Sequence, residues 1–179
     1  MFKYAVNNDV SLKLLESRHA EELFSLTDRN REYLREWLPW IDGTTKVEST
    51  RDFISSSRLS FAENRGLNLG IFYKDQIAGC IGLHEIDRGN RKTSIGYWLG
   101  AEYQGKGIMT SSCRVLIDYA FNDLLLNRVE IRAAVTNSRS RSIPERLGFV
   151  NEGIVRQAEW LYDHYVDHVI YGMLRDEWR

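Results

Sequence analysis

The stretch Gly96-Tyr97-Trp98-Leu99-Gly100-Ala101-Glu102-Tyr103-Gln104-Gly105-Lys106-Gly107-Ile108-Met109-Thr110 decides the fold. It reads as an apolar strand, a glycine-rich turn and the start of a long helix. A turn of this kind aims bare backbone N–H groups at one point, and the helix N-terminus behind it adds partial positive charge. That point attracts an anion, typically a phosphate. A purely structural turn accounts for one or two glycines, but here Gly100, Gly105 and Gly107 stand between strand and helix.

Gly100 to Lys106 spells G-x-x-x-x-G-K, nearly the P-loop of nucleotide hydrolases. That motif needs Ser or Thr next, to hold magnesium. The chain has Gly107 there, and Thr110 is too far along to substitute. The acidic metal ligand that should end a buried strand is also missing, because Val115-Leu116-Ile117-Asp118 falls inside the predicted helix. The phosphate reading survives without its metal.

The run Gln104-Gly105-Lys106-Gly107-Ile108-Met109 resembles the Q/R-x-x-G-x-G/A signature of GNAT N-acetyltransferases, with Met109 in place of the usual Gly or Ala. The variant G-K-G-I-M-T is similar to that of the RimJ/RimL branch, the ribosomal-protein N-acetyltransferases. Asn137-Ser138-Arg139-Ser140 with Leu147-Gly148-Phe149 resembles that branch's N-x-x-S…LGF segment. Trp37-Leu38-Pro39-Trp40 resembles its entry to the substrate side, and Gln157-Ala158-Glu159 the segment bearing its catalytic glutamate.

The resemblance implies acetyl-CoA as cosubstrate and no metal. Gln104, Gly105, Lys106, Gly107, Ile108, Met109 and Thr110 would cradle its pyrophosphate. Asn137 and the backbone of Trp98 and Leu99 would meet pantetheine, and an N–H there would hold the oxyanion. It further implies Glu159 as base, Ser140 as acid, and an acceptor pocket walled by Trp37, Trp40, His84 and Trp160. The implied acceptor is the N-terminal α-amine of a ribosomal protein, and the family makes a homodimer through the final strands an expectation.

Each role has a physical case and a plainer competitor. Acetyl transfer to an amine needs a neutral nucleophile, a seat for the oxyanion and a proton for the leaving thiolate. Glu159 stands beside Trp160 and Tyr162, where burial would raise a carboxyl pKa; otherwise it is a surface glutamate on an edge strand. Ser140 would donate to sulfur, or only cap the following helix. His84 is a second proton acceptor or a hydrogen-bonded strand histidine. Arg139, Arg141 and Arg146 reach the nucleotide or lie solvated on a helix. His164-x-x-x-His168 has metal-like spacing but crosses a predicted turn and lacks a third ligand. Trp37, Trp40, Tyr33 and Trp160 need no explanation beyond an aromatic core.

The amine can be ranked by cost. An α-amine has a pKa of about 7.7–8.0 and lysine about 10.4, so deprotonating lysine at neutral pH costs roughly 3.5 kcal/mol more. A lone carboxylate suits the α-amine. The competing readings are acetylation of a small amine such as a polyamine, antibiotic or metabolite, and a non-catalytic acyl-CoA-binding module.

At 179 residues, one domain over 1–179 is expected. With 43% hydrophobic and 27% charged residues a packed core is within reach, and the net charge of -1 argues against nucleic-acid binding. Cys80 and Cys113 read as buried free thiols. With neither a signal peptide nor a membrane-length apolar run, the reading is cytoplasmic.

The pattern predicts a strand over 10–15, helix over 16–38 broken near Arg31, and helix over 47–64. A hairpin of strands 67–73 and 76–86, a strand 92–99 and a helix 105–125 follow. Then come a strand 128–136, a helix 138–147 with Pro144 near its first turn, and two strands around Tyr162-Asp163-His164. That order gives an α/β protein with one mixed, mostly antiparallel sheet flanked by helices. It is similar to the GNAT fold, and the resemblance implies a sheet splayed at its centre.

Overall fold

The computed structural model describes residues 3–179. Eight strands form one sheet in the order β1-β2-β3-β4-β5-β6-β8-β7. They are β1 (Lys3–Ala5), β2 (Val10–Leu14), β3 (Leu67–Tyr73), β4 (Gln76–Asp87), β5 (Lys92–Leu99), β6 (Arg128–Ala134), β7 (Val150–Leu161) and β8 (His164–Leu174). The helices are α1 (Ala20–Arg29), α2 (Arg31–Arg35), α3 (Val47–Ala62), α4 (Ile108–Asp118) and α5 (Ser138–Arg146). Every neighbouring pair is antiparallel except β5 with β6. This is the expected mixed sheet, with one parallel crossover through α4.

Several boundaries differ from expectation, each for a local reason. The short β1 pairs with β2 ahead of the first predicted strand. The helix read over 16–38 is a 3-10 turn at Ser17–His19 followed by α1 and α2, because the chain leaves helical geometry at Asn30 (φ -107, ψ 10). The Asn30 amide returns to the Leu26 carbonyl at 3.0 Å, satisfying an end of α1. The long helix begins three residues late. Gly105 and Gly107 take φ of +72 and +70, a left-handed geometry that side chains resist, so the turn runs on to Gly107. It also leaves α-geometry early, continuing as a π turn over Tyr119–Asp123.

Burial follows the periodicities. α1 turns Ala20, Leu23 and Leu26 inward, and α4 turns in Ile108, Met109, Cys113, Leu116 and Ile117. Full burial of each Leu or Ile is worth about 1.5–3 kcal/mol, enough to fix both helices against the sheet.

The feature that positions the site is a gap. β5 pairs with β6 only from Lys92 to Ile95, and from Gly96 onward the two strands part. β6 keeps its other partner, β8, through Ala134. The sheet therefore splays at Gly96, as expected for a GNAT fold.

Candidate active site

The turn after β5 leaves a run of N–H groups open. Gln104 N–H donates to Ala101 O at 3.2 Å, and the next paired backbone donor is Ser111, to Gly107 O at 3.1 Å. Between them the N–H groups of Gly105, Lys106, Gly107, Ile108, Met109 and Thr110 have no acceptor among the described residues. The positive φ of Gly105 and Gly107 folds the first of these toward the N-terminus of α4, which contributes the rest. No other atom stands within 4 Å of where a Cβ at either glycine would be, so the two are required by backbone geometry and not by crowding. The cradle fits a pyrophosphate.

The side chains of this stretch do other work. Ile108 and Met109 are core residues. Lys106 donates to Glu102 O at 3.0 Å, and Arg146 donates to Thr110 Oγ1 at 3.2 Å. Gln104 bridges two helices: its amide donates to the Tyr33 hydroxyl, and its carbonyl accepts from Arg139 at 2.8 Å. Tyr33 thus supports the turn and does not wall an acceptor pocket. Arg141 is tied to Tyr171 Oη at 2.9 Å and Val135 O at 2.8 Å, inside the fold.

β5 carries the site along the gap. Gly100 N–H donates to Ala78 O at 2.8 Å, toward β4. N–H directions alternate along an extended chain, so the N–H of Leu99 points into the gap while that of Trp98 serves the β4 ladder. Trp98 instead contributes its ring, packed against Trp40 at 6.0 Å.

Tyr97 lies on the opposite face and reaches α5. Its hydroxyl donates to Ser140 O at 2.9 Å, and the Ser140 hydroxyl lies 3.5 Å from Tyr97 Oη. Pro144 explains the first bond. It sits late in α5, not near its first turn, and lacks the N–H that would otherwise bond Ser140 O four residues back. Tyr97 supplies the missing donor. Asn137, not Ser140, caps the helix: its Oδ1 accepts from Ser140 N at 3.1 Å. The Ser140 side chain is released from capping. Burial pushes the Tyr97 phenol far above its usual pKa, so it remains protonated.

An apolar cavity of about 320 Å³ opens on the Trp98 face, lined by Leu23, Leu38, Trp40, Phe53, Cys80, His84 and Trp98 among others. Its roof loop is clamped by the β7–β8 hairpin. The Tyr162 hydroxyl donates to Leu38 O at 2.5 Å and accepts from Ile41 N at 3.2 Å. Burial pushes the Cys80 thiol up to about 12, which keeps it neutral, and Cys113 is likewise buried and free. Removal from water lowers the His84 pKa, opposed in part by Glu85. The His84 side chain is exposed and borders the cavity, and the downward shift favours its neutral form.

Three expected residues lie elsewhere. Trp160 is 53% exposed and packs edge-on against Tyr165 at 4.8 Å, and Trp37 is partly buried outside the cavity lining. Glu159 lies on β7 after a bulge in which the five residues from Val155 to Glu159 lie opposite three on β8, Val166 to His168. Its carboxylate meets His168 Nε2 at 3.4 Å and lines neither this cavity nor the wider one beside it. The expected apolar enclosure by Trp160 and Tyr162 is absent, because those rings are engaged by Tyr165 and by the Leu38–Ile41 loop. His164 is taken up by Asp163 at 2.6 Å. Among the described residues no group of three or more His, Cys, Asp or Glu could hold a metal.

Residues 9–150 match the acetyltransferase (GNAT) domain model. The chain belongs to the GNAT acetyltransferase family. This acetyltransferase is 41% identical to YdaF of Bacillus subtilis over 99% of its own length and 98% of that protein. It superposes on RimL, a ribosomal L7/L12 alpha-N-protein acetyltransferase solved with coenzyme A. The TM-score is 0.94 at 28% identity, covering 98% and 99% of the two chains. It also superposes on the microcin C7 self-immunity acetyltransferase MccE, solved with acetyl-CoA and AMP. There the TM-score is 0.91 at 33% identity, covering 94% of each. The protein is thus an acetyl-CoA-dependent N-acetyltransferase.

Sequence reasoning missed Tyr97. It carried a signal, since Pro144 leaves Ser140 O without its helical donor, but nothing in the sequence named the residue that fills the place.

Proposed function

We propose that this acetyltransferase acts on the N-terminal α-amine of a ribosomal protein by direct attack on the acetyl-CoA thioester. The observation that carries the reading is the line from the six open N–H groups, along the gap beside Leu99, to the apolar cavity at His84 and Trp98. The RimL likeness supports the acceptor class. In this reading the cradle holds pyrophosphate and Asn137 and Leu99 meet pantetheine. Leu99 N–H takes the developing oxyanion, Ser140 returns a proton to sulfur, and Glu159 is the base that the family position implies. Glu159→Gln then lowers kcat and leaves acetyl-CoA affinity nearly intact.

The deciding experiment compares N-terminal peptides of ribosomal proteins with polyamines and aminoglycosides as acceptors. A peptide kcat/KM at least tenfold above every small amine supports the reading, and the reverse order defeats it. The small-amine reading has one observation of its own, the aromatic cavity between Trp40 and Trp98, of a size for a compact ligand. The ribosomal reading places the protein in the cytoplasm; among the described residues no helix is long and apolar enough to cross a membrane. A homodimer belongs to the same proposal. Edge strand β7 leaves one side unpaired and exposes Val150, Ile154 and Val155, and a monomer by light scattering would remove the dimer.

A further inference from the structure

Two side chains on the floor of the acceptor cavity do no visible work in the fold. Asn68 and His84 line both the apolar cavity and the wider one of about 610 Å³ beside it. Among the described residues, neither the Asn68 side-chain amide nor the His84 ring has a hydrogen-bond partner; the His84 carbonyl accepts from Thr93 Oγ1 at 2.8 Å. Asn68 is half-buried and His84 exposed, so both polar groups border the cavity with no protein partner and are available to a ligand.

Both seats are made by glycine. Asn68, Gly82 and Gly96 face one another across β3, β4 and β5. A Cβ at Gly82 would overlap Asn68 Oδ1, and one at Gly96 would stand 2.6 Å from His84 Nε2. The amide and the imidazole lie in the space that the two missing side chains leave. Beyond His84 the β4–β5 register shifts and Glu85 adopts φ +50, an irregularity of the kind that re-aims a strand side chain. The ring therefore sits over Gly96, where β5 parts from β6, while Ser140 meets Tyr97 on the other face.

We propose that Asn68 and His84 form the seat of the acceptor amine, Asn68 orienting its N–H groups and His84 taking its proton. The inference rests on the N-acetyltransferase reading above and moves the first proton transfer from Glu159 to His84. An ammonium proton passes to the imidazole. The amine lone pair then attacks the thioester carbon; the C–N bond forms and the C–S bond breaks. The second proton shed by nitrogen reaches the departing sulfur by way of Ser140, and His84 returns its proton to water.

A neutral imidazole is needed at the start, and the partial removal of the ring from water favours that form. The charged groups around it are Glu85 on its own strand and Arg65, Asp87 and Lys92, which share the wider cavity. Cys80 is a neutral thiol, and α1 and α3 present Leu23, Thr27, Ser49, Thr50 and Phe53 to the apolar cavity, none charged. The pairing favours α-amines as acceptors, whose pKa of about 7.7–8.0 lies far nearer to an imidazole than the roughly 10.4 of lysine.

The test is steady-state kinetics with acetyl-CoA and the N-terminal decapeptide of ribosomal protein L7/L12, across pH. In the wild type kcat falls as pH drops through the range below about 6.5, where the base becomes protonated. His84→Gln lowers kcat about 100-fold at pH 7 and abolishes that acid limb, with acetyl-CoA affinity by calorimetry unchanged. The limb persists in Glu159→Gln, whatever its rate. Asn68→Ala acts mainly on KM, raising it about tenfold. Gly96→Ala, which keeps both side chains, also lowers kcat, because its Cβ displaces the ring. In the folded wild type, the His84 imidazole resonances shift on addition of the peptide. A His84→Gln enzyme that keeps its limb and its rate within threefold, or ring signals indifferent to peptide, overturns the proposal. If the wild type acetylates neither peptide nor small amine, the parent reading falls and this one with it.

Discussion

The hydroxyl of Tyr97 donates to the carbonyl of Ser140 at 2.9 Å, in the place that Pro144 leaves without a helical donor. The two residues are 43 apart in sequence, and the bond fixes the start of α5 against the gap-lining strand. Tyr97→Phe leaves a partly buried carbonyl unpaired, at a cost of about 1–3 kcal/mol. The melting temperature should fall by about 3–8 °C. Adding Pro144→Ala restores an N–H four residues on, so the double variant should regain part of the loss. Calorimetric melts of the four proteins in the cycle check this, and purely additive effects would show that the carbonyl does not couple the two residues.

Ser140→Ala removes a hydroxyl that the helix does not use for capping. Stability should change by less than about 1 kcal/mol, because Asn137 holds the cap. Turnover should fall about tenfold with KM for acetyl-CoA nearly constant, since only thiolate departure suffers. An unaltered kcat would leave Ser140 without a role in proton return.

Gly107→Ala tests the cradle by strain alone. The position has φ +70 with no atom within 4 Å, so Ala fits sterically but resists the geometry by about 1–2 kcal/mol. Relaxation of the turn rotates the open N–H groups, and acetyl-CoA binding by calorimetry should weaken about tenfold. A variant that loses stability with its affinity intact would place the anion elsewhere.

The roof of the acceptor cavity depends on Tyr162, whose hydroxyl bridges Leu38 O and Ile41 N while the Arg35 guanidinium lies 3.9 Å over its ring. Tyr162→Phe keeps the ring and loses the bridge. The KM for a peptide acceptor should rise about three- to tenfold, one hydrogen bond's worth, with acetyl-CoA affinity unchanged. Equal weakening of both substrates would argue for a global defect.

The start of β6 carries a charge network that sets acid sensitivity. Arg128 donates to Glu152 at 2.8 Å and to Glu130 at 3.0 Å, and Arg132 to Glu130 at 3.1 Å. Burial works to raise the Glu130 pKa, but the bonds from Arg132 and Arg128 outweigh it and the net shift is downward. The bond from Arg128 likewise lowers Glu152. A folded pKa below the unfolded value of about 4.3 adds stability above that pH and loses it as pH falls through the folded value. Arg128→Met should therefore destabilise by about 1–2 kcal/mol at pH 7, with the difference from wild type shrinking below about pH 4. Urea melts at the two pH values measure it; a difference independent of pH would mean lost packing and not lost charge.

The glycine turn was legible because its signal is local. Two left-handed glycines, a missing hydroxyl at Gly107 and a helix start within a few residues are enough to specify an anion cradle without magnesium. The β3–β4 hairpin and the α4 crossover were legible for the same reason, through period and turn chemistry. Less was legible at the reacting end. Glu159 was expected in an aromatic enclosure because Trp160 and Tyr162 adjoin it in sequence, but a strand sends neighbours to opposite faces and the bulge at Gln157 re-aims this segment. Asn68 gave no sign at all, since what singles it out is an empty space across Gly82.

By itself the sequence determined the family and the cosubstrate, and marked the glycine turn as an anion cradle, because each is written in residues close along the chain. Only the tertiary structure decided which residues accompany His84 at the apolar cavity. Asn68, His84 and Gly96 come together through cross-strand register, and Tyr97 reaches Ser140 through the packing of α5 on the sheet. Those contacts depend on where β5 leaves β6, and strand separation is set by long-range pairing that no local pattern encodes.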